Sequence, residues 1–494
     1  MRRKPSLRGS VPTKPDCRRS TRRAREPRDG RTDHARLRRG SARGAARALL
    51  GGRERRTWPL STGQERLWFL QRFDPDDCAY HITWPVRLRG PLDETALAAA
   101  FTTVATRHEV LRTRFVVTGD LPAQVIDDPA EIRLDHLPDI DPSAAGERSR
   151  VDRVVAEYAA RPFDLAGEPA WRAGLLRVSD DEAVLCIVLH HIIVDHWSLD
   201  VLMREVTECY RAAREGRAPV LDELPSQYRD FAAEERRRAE EGRDNLDYWT
   251  GRLAGAPPLD LPLDHARPPR WTGRGAKAAV TVPDADVTAL ESLAREGRAT
   301  LFMALLAAWQ ITLGTAAGQD DFCVGVPVAG RGRPELAPLI GYFSTTLVAR
   351  ADLSGDPSFR ELLRRTRVGT LKALAHAGTS MDRILGALRV PRDLSRPPLC
   401  QAMFNLTHNL PNSDLLSPEL GDLSVELIQQ PDLGRARVEV SLDVYRGPEG
   451  VGGWLEYATD LFDAATADRL AGTFARVVSR AVGDPELRVS ELSG

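Results

Sequence analysis

The segment from Arg172 to Gly216 limits the fold of this chain more than any other part of the sequence. Arg172–Val178 and Ala183–His190 are runs rich in branched apolar residues, and a Ser-Asp-Asp turn separates them. This pattern predicts a β-hairpin. An amphipathic stretch follows from Ser198, a predicted N-cap, to Gly216, a predicted helix stop. A strand pair that leads directly into a long helix favours a mixed fold of strands and helices.

The rest of the chain repeats this mixture. Glu94–Phe115 has the periodicity of a helix that runs into a strand, and polar, proline-bearing sequence at 217–225 and 253–270 indicates a connection between two lobes. We therefore predict an α/β or α+β fold with lobes at 58–228 and 229–494. The helices predicted in the second lobe are Asp284–Glu296, Leu301–Thr315, Phe359–His376 and Ala464–Val482, and the strands are Lys277–Val282, Asp321–Val328, Thr345–Ala351 and Arg435–Tyr445.

Charge is distributed unevenly along the 494 residues. Residues 1–57 carry 20 Lys and Arg against 5 Asp and Glu, and they contain very few apolar residues. Such a segment cannot offset its ordering entropy, so it predicts a disordered basic tail. A tethering arm for an acidic partner and a targeting peptide remain alternatives. Without aromatic residues for base stacking the tail does not indicate nucleic-acid binding, and without an apolar h-region it is not a secretory signal.

The six cysteines are scattered and never form a CxxC pair. They predict free thiols in a cytoplasmic protein and neither a disulfide framework nor a zinc site. No apolar run approaches the roughly 18 residues of a membrane span, so no membrane helix is expected.

The candidate site is the sequence HHIIVDH at residues 190–196, where the second strand of the predicted hairpin ends. A metal site is disfavoured, because adjacent histidines on a strand point to opposite faces and no second ligand cluster follows. Two packed core histidines are a second interpretation. A third is that His191 emerges into a cavity as a base or hydrogen-bond donor while His190 packs inward. Asp195 would then close the connection to the helix by pairing inward with an arginine.

Other sequence blocks bear on this choice. HHIIVDHWS resembles the HHxxxDG motif of the condensation domains of nonribosomal peptide synthetases, which are relatives of chloramphenicol acetyltransferase. Six further blocks resemble motifs of this family, in family order, between residue 58 and the end of the chain. They are PLSTGQERLWFL, RHEVLRTRF, YRDFA, VGVPVAGRGRPEL, LIGYFSTTLVAR and RDLSRPPLCQAMF.

The resemblance implies a V-shaped pair of acetyltransferase-like lobes with a tunnel between them. Phosphopantetheine arms of carrier proteins would enter the tunnel, and the acceptor would attack the donor thioester directly. His191 would be the catalytic histidine, supported by His190 and Asp195. Asp195 would pair with Arg107 or Arg112, although an ordinary surface or inter-helix ion pair is the alternative for either arginine.

Three departures from the family pattern bear on the substrate. His196 stands where the family has glycine, and it either narrows the acceptor side of the channel or turns to solvent. Ser344 and Thr345 replace the usual Val-Asn, and HAGTSMDRIL replaces a block that usually reads HQDxPFE. With Trp197, the residues His196, Ser344 and Thr345 are the predicted substrate-channel residues.

The expected function is condensation of a carrier-bound acyl or aminoacyl thioester with an amine, to form an amide in antibiotic-type secondary metabolism. The alternatives are ester or amide formation onto a free or differently carried small-molecule alcohol or amine, and a non-catalytic domain that recruits carriers. We find no carrier-type serine block and no adenylate-forming loop. The sequence therefore predicts a freestanding, cytoplasmic monomer that meets its carrier proteins in trans and binds no covalent cofactor, metal, nucleic acid or membrane.

Overall fold

Strands and helices alternate along the chain in the computed structural model, which describes residues 56–138, 147–242, 245–391, 393–407, 419–420, 422–428 and 430–492. The predicted tail lies outside this part up to residue 55. The strands of the first half are β1 (Thr57–Pro59), β2 (His81–Arg89), β3 (Thr113–Thr118), β4 (Leu121–Ile126), β5 (Asp135–His136), β6 (Trp171–Ser179) and β7 (Glu182–His190). Its helices are α1 (Thr62–Phe73), α2 (Glu94–Arg107), α3 (Glu147–Ala160), α4 (His196–Glu215), α5 (Tyr228–Glu240) and α6 (Leu246–Leu253).

The second half follows the same plan. Its strands are β8 (Gly275–Pro283), β9 (Asp321–Val328), β10 (Thr345–Asp352), β11 (Ala402–Thr407), β12 (Glu419–Leu420), β13 (Leu423–Leu427), β14 (Val440–Gly447) and β15 (Gly450–Ala458). Its helices are α7 (Asp284–Glu296), α8 (Leu301–Ala317), α9 (Phe359–Ala375), α10 (Met381–Leu388), α11 (Ala464–Gly483) and α12 (Val489–Leu492). The mixed α/β class predicted from the sequence is confirmed.

Two six-stranded sheets form the framework, in the strand orders β12-β13-β2-β7-β6-β5 and β10-β9-β11-β14-β15-β8. A small sheet, β1-β4-β3, accompanies the first. Most pairs are antiparallel, but β5 runs parallel to β6, and β11 runs parallel to both β9 and β14. β13 belongs to the second half of the chain and pairs with β2 of the first. The lobe boundary at residue 228 stays a prediction.

Each six-stranded sheet has its own hydrophobic core. In the first, β7 is buried from Ala183 to His190, and α4 packs against α2 beside it. In the second, α8 contains no charged residue and is almost entirely buried. An uncharged, largely apolar helix of this kind is stable mainly inside a core, because an exposed face would place apolar surface in water.

The elements observed here agree closely with those predicted. The hairpin spans Trp171–Ser179 and Glu182–His190, while α7 and β9 have the predicted bounds. The predicted cap of α4 is wrong: the N-cap is Asp195, whose side chain accepts a hydrogen bond from the backbone nitrogen of Ser198. An aspartate three residues upstream competes successfully because its carboxylate also favours the positive end of the helix dipole.

Five cysteines lie in the described part, and all of them are buried free thiols. No described helix is long and apolar enough on its own to cross a membrane. The pair α7 and α8 passes that test only when the two are taken together, and they are bent by 106° at the break between them.

Candidate active site

His191 lies at the end of β7, where the chain leaves the sheet in a short 3₁₀ turn. Its backbone nitrogen donates to the carbonyl oxygen of Tyr80 at 2.8 Å, and its Nδ1 lies 2.6 Å from the carbonyl oxygen of Val194. A carbonyl only accepts, so Nδ1 carries the proton and Nε2 keeps its lone pair. Burial, together with the nearby charge of Arg437, lowers the pKa of His191 to about 4. The ring is therefore neutral at neutral pH.

His190 points to the other side of the strand and is fully buried. Its Nε2 donates to Oε1 of Gln71 at 3.2 Å, and its Nδ1 accepts from the backbone nitrogen of Ile192 at 3.0 Å. Burial lowers the pKa of His190 well below its ordinary value. With both nitrogens used inside the protein, His190 holds the turn that presents His191.

Asp195 caps α4 and is 1% exposed. Its Oδ1 accepts from the backbone nitrogen of Ser198 at 2.8 Å, from the Ser198 hydroxyl at 2.6 Å and from Nη2 of Arg331 at 3.0 Å. Its Oδ2 accepts from the backbone nitrogen of Phe343 at 3.1 Å. Arg331 itself is anchored by the carbonyl oxygens of Leu336 and Leu339. Asp195 thus joins α4 to the connection between β9 and β10, and both of its carboxylate oxygens are bonded within the protein.

The predicted pairing of Asp195 with Arg107 or Arg112 is wrong. Nε of Arg107 lies 3.2 Å from Glu205, and Arg112 donates to the carbonyl oxygen of Asp127. Glu205 is on the same helix as Asp195, but ten residues further along, which is roughly 15 Å on an α-helix. Arg107 therefore contacts α4 far from the N-terminus of that helix and pairs with Glu205 instead of Asp195.

The four predicted channel residues occupy different surroundings. His196 is the first residue of α4, and its exposed side chain is still surrounded by enough protein to lower its pKa by desolvation. Trp197 is 47% exposed and donates from Nε1 to the carbonyl oxygen of Ala337 at 3.0 Å. Ser344 and Thr345 line a cavity.

This cavity has a volume of about 50 Å³ and adjoins an outer cleft of about 210 Å³, with Thr62, Ser380 and Asp382 on the border of both. Its wall includes Tyr342, whose ring contacts the His191 ring edge to face, with centroids 4.9 Å apart. The V shape and the through-going tunnel stay predictions. The cavity therefore lies against Tyr342, the residue whose ring contacts His191.

Sequence reasoning missed three residues of this site. Arg331 stands in VGVPVAGRGRPEL, a block already matched to the family, so its motif was a usable signal. Tyr342 falls on a variable position of its block and gave no signal. Arg437 approaches Asp443 and Glu456 at 3.7 Å from each, and nothing local in the sequence links these groups to His191. Among the described residues, no group of three or more His, Cys, Asp or Glu is arranged to hold a metal ion.

Comparison with known proteins identifies the family. The sequence model described as "Condensation domain" matches residues 54–493. The chain belongs to the condensation-domain family. Among its relatives, a linear gramicidin synthase protein of Brevibacillus parabrevis is 39% identical over 432 residues, which are 86% of this chain and 6% of that protein. Phosphinothricin tripeptide synthetase PhsC of Streptomyces viridochromogenes is 36% identical over 444 residues, 88% of this chain and 40% of that protein. The chain thus spans less than half the length of either synthetase.

Solved structures show the same fold. The X-domain from teicoplanin biosynthesis is 30% identical, with a TM-score of 0.80, over 89% of this chain and 97% of that one. The SgcC5 protein of Streptomyces globisporus is 28% identical, with a TM-score of 0.72, over 87% of this chain and 100% of that one. The first condensation domain of the calcium-dependent antibiotic synthetase, at 21% identity and a TM-score of 0.72 over 88% and 99%, shares the fold.

Proposed function

We propose that this condensation domain is an acyltransferase that joins a carrier-bound acyl or aminoacyl thioester to an amine and so forms an amide. The proposal rests on the hydrogen bonding of His191. Its Nδ1 donates a hydrogen bond to the carbonyl oxygen of Val194, which leaves the Nε2 lone pair free, and its ring contacts Tyr342 of the cavity wall. Its relatives are nonribosomal peptide synthetases. The donor would be tethered through the phosphopantetheine of a carrier protein, and no covalently bound cofactor takes part.

In this reaction the amine nitrogen attacks the thioester carbonyl carbon, and a C–N bond replaces the C–S bond. Nε2 of His191 accepts the proton that the nitrogen loses and passes it to the departing thiolate sulfur. The Val194 carbonyl fixes which ring nitrogen accepts. His190 and Asp195 position the turn and the helix around His191 without touching the substrate.

The low pKa of His191, about 4, makes it a weak base. We therefore assign it the lower part of the roughly 10²–10⁴-fold range of general-base catalysis. Alignment of two bound reactants supplies the larger share, since a thioester is already an activated acyl donor.

The test is reconstitution with a loaded donor carrier protein and a panel of amine and alcohol acceptors, followed by mass spectrometry of the product. His191→Ala is expected to lower the rate roughly 100-fold, because the proton then has no acceptor at that position. His136→Ala is the matched control, since this histidine is 75% exposed and is expected to leave turnover unchanged. Unchanged turnover in His191→Ala contradicts the assignment of His191.

Two other functions are each favoured by one observation. SgcC5, whose whole length this chain covers, was solved with a diol, and this favours an alcohol acceptor and an ester product. The teicoplanin X-domain was solved in complex with OxyB, and this favours a non-catalytic recruiting domain. Product from alcohols but not amines selects the first, and carrier binding without turnover selects the second. Carrier proteins in trans, a freestanding monomer and a cytoplasmic location stay predictions from the sequence.

A further inference from the structure

The proposed reaction needs a hydrogen-bond donor that His191 does not supply. When the amine attacks, negative charge builds on the thioester carbonyl oxygen, and a preorganised donor there lowers the barrier. Nδ1 of His191 donates a hydrogen bond to the carbonyl oxygen of Val194 at 2.6 Å, and Nε2 is the atom that accepts the proton of the amine. The donor to the carbonyl oxygen must therefore come from another residue beside the His191 ring.

Tyr342 is the side chain that joins His191 to the cavity. The two rings meet edge to face, with centroids 4.9 Å apart and an angle of 73° between their planes. The same ring forms part of the cavity wall, together with Ser344, Thr345 and Arg66. The residues that line this cavity do not include His191, so a group that reaches the His191 ring from the cavity must pass Tyr342.

The position of Tyr342 is fixed from two sides. Its backbone carbonyl accepts a hydrogen bond from the Tyr228 hydroxyl at 2.7 Å, and that hydroxyl also bonds the hydroxyl of Ser61 at 2.8 Å. Its ring lies over Gly63, where a Cβ would stand only 2.6 Å from Cε1 of Tyr342. Any larger residue at position 63 would push the ring away, so the absence of a side chain there is what permits the contact with His191.

The Tyr342 hydroxyl is unused within the described part of the protein. It makes no hydrogen bond there, and it is not among the buried polar atoms that lack a partner, so it reaches open volume. Burial raises the pKa of Tyr342 to about 12, which keeps the phenol protonated and able to donate. Arg66 lines the same cavity, and its charge interacts with Tyr342 and with Asp382, which also lies on the cavity wall.

We propose that Tyr342 is a catalytic residue, whose hydroxyl donates a hydrogen bond to the thioester carbonyl oxygen as the amine attacks. This inference rests on the proposed acyl transfer. The two residues in contact then have different roles. Nε2 of His191 accepts the proton from the amine, while the phenol of Tyr342 donates a hydrogen bond to the thioester carbonyl oxygen. No proton leaves Tyr342, which remains a phenol throughout.

The test compares Tyr342→Phe with the unaltered protein in the reconstituted reaction. Phenylalanine keeps the ring contact with His191 and removes only the hydroxyl. We expect kcat to fall roughly 100-fold, as for loss of one oxyanion donor, with KM for the acceptor unchanged. Tyr248→Phe is the matched control, because Tyr248 stacks on His376 with centroids 3.9 Å apart, away from His191, and its loss should leave kcat unchanged.

A role in packing alone predicts a different result, namely wild-type kcat in Tyr342→Phe and a loss only in Tyr342→Leu, and that result overturns the proposal. Because the Phe variant could also be affected in folding, a crystal structure with a donor analogue that has an amide in place of the thioester supplies a second measurement. The Tyr342 hydroxyl is expected within hydrogen-bond distance of the analogue's carbonyl oxygen, and a carbonyl that points elsewhere overturns the proposal. Absence of turnover in the unaltered protein would instead contradict the proposed function.

Discussion

Two connections build the candidate active site, and they are held in different ways. The β7–α4 connection (residues 190–196) takes its turn from bonds that span two or three residues, namely Ile192 to His190, His191 to Val194, and Ser198 to Asp195. Longer-range bonds to Tyr80 and Gln71 then anchor this turn to the rest of the protein. The β9–β10 loop (residues 329–344) is fixed largely by bonds to distant parts of the chain. Arg331 and Phe343 bond Asp195, and the carbonyl of Tyr342 accepts from Tyr228.

The local and long-range bonds differ in how much of the site's geometry nearby sequence can predict. The geometry of a connection held by neighbouring residues can be inferred from its own sequence, as the opposite directions of His190 and His191 were inferred from HHIIVDH. A loop held by long-range bonds takes its shape from α4 and α5, so its sequence alone does not say where Tyr342 points. The two connections are coupled at Asp195, which belongs to the first and accepts two hydrogen bonds from the second.

Acid is expected to destabilise the protein most, through the two histidines of the local connection and through His81 of β2, whose ring centroid lies 6.0 Å from that of His190. Burial lowers the pKa of His81 and of His191 to about 4, and that of His190 also falls. Well above pH 6.5 these imidazoles are neutral in both the folded and the unfolded chain, so the lowered pKa values do not change the free energy of unfolding. Below this pH the unfolded chain binds protons that the folded one does not, which costs about 2 kcal/mol per shifted histidine at pH 5, or about 4 kcal/mol for His81 and His191 together.

Urea unfolding at pH 7.5 and at pH 5 measures this loss. His81→Asn removes one of the shifted imidazoles and is expected to flatten the dependence by about 1.4 kcal/mol per pH unit. A free energy of unfolding that stays constant between the two pH values would contradict the neutral state assigned to these rings.

Arg331→Ala tests the link between the two connections. The Arg331 and Asp195 side chains are 3% and 1% exposed, so removal of the cation leaves a buried carboxylate without its charge partner. We expect a loss of about 3 kcal/mol in the free energy of unfolding, at the lower end of the cost of breaking a buried pair. Arg333→Ala is the control: its pair with Glu335 is about 40% exposed and should be worth less than about 1 kcal/mol. Equal losses in the two variants would mean that Arg331 does not hold the loop to α4.

Ser198→Ala tests the same link between α4 and the β9–β10 loop, with a smaller expected loss of stability. The Ser198 hydroxyl accepts from the backbone nitrogen of Gly341 at 3.0 Å and from Nη2 of Arg331 at 2.6 Å, and it bonds Asp195 within its own connection. Its removal leaves the buried Gly341 nitrogen unpaired, which costs about 1–2 kcal/mol. Thermal unfolding measures the loss. A variant as stable as the parent would show that the loop does not depend on this hydroxyl.

Much of the fold follows from the sequence because most of its elements are locally determined. Apolar period and end signals locate Asp284–Glu296 and Asp321–Val328 to the residue. The strand predicted at Arg435–Tyr445 is observed at Val440–Gly447. Its early part is instead held by ion pairs, since Arg437 approaches Glu456 and Asp443, and the fully buried Glu439 pairs with Arg267. The periodicity of apolar residues does not predict such ion pairs.

The same distinction applies to the site. The opposite directions of His190 and His191 follow from strand alternation, which is a property of adjacent residues. The partner of Asp195 does not, because the sequence offers many arginines and only the folded chain selects Arg331, 136 residues away. Tyr342 is the extreme case, since its contact with His191 depends on the bare backbone of Gly63 and on a hydroxyl from α5.

The pairing of β13 with β2 has a consequence for how the molecule is made. β2 ends at Arg89, and its neighbour on one side, Leu423–Leu427, is synthesised more than three hundred residues later. Until then, the first sheet emerges from the ribosome with an open edge able to pair with any passing strand. The order of translation therefore exposes this sheet to aggregation before its last strand arrives, and late closure of this kind slows folding through its large loop entropy.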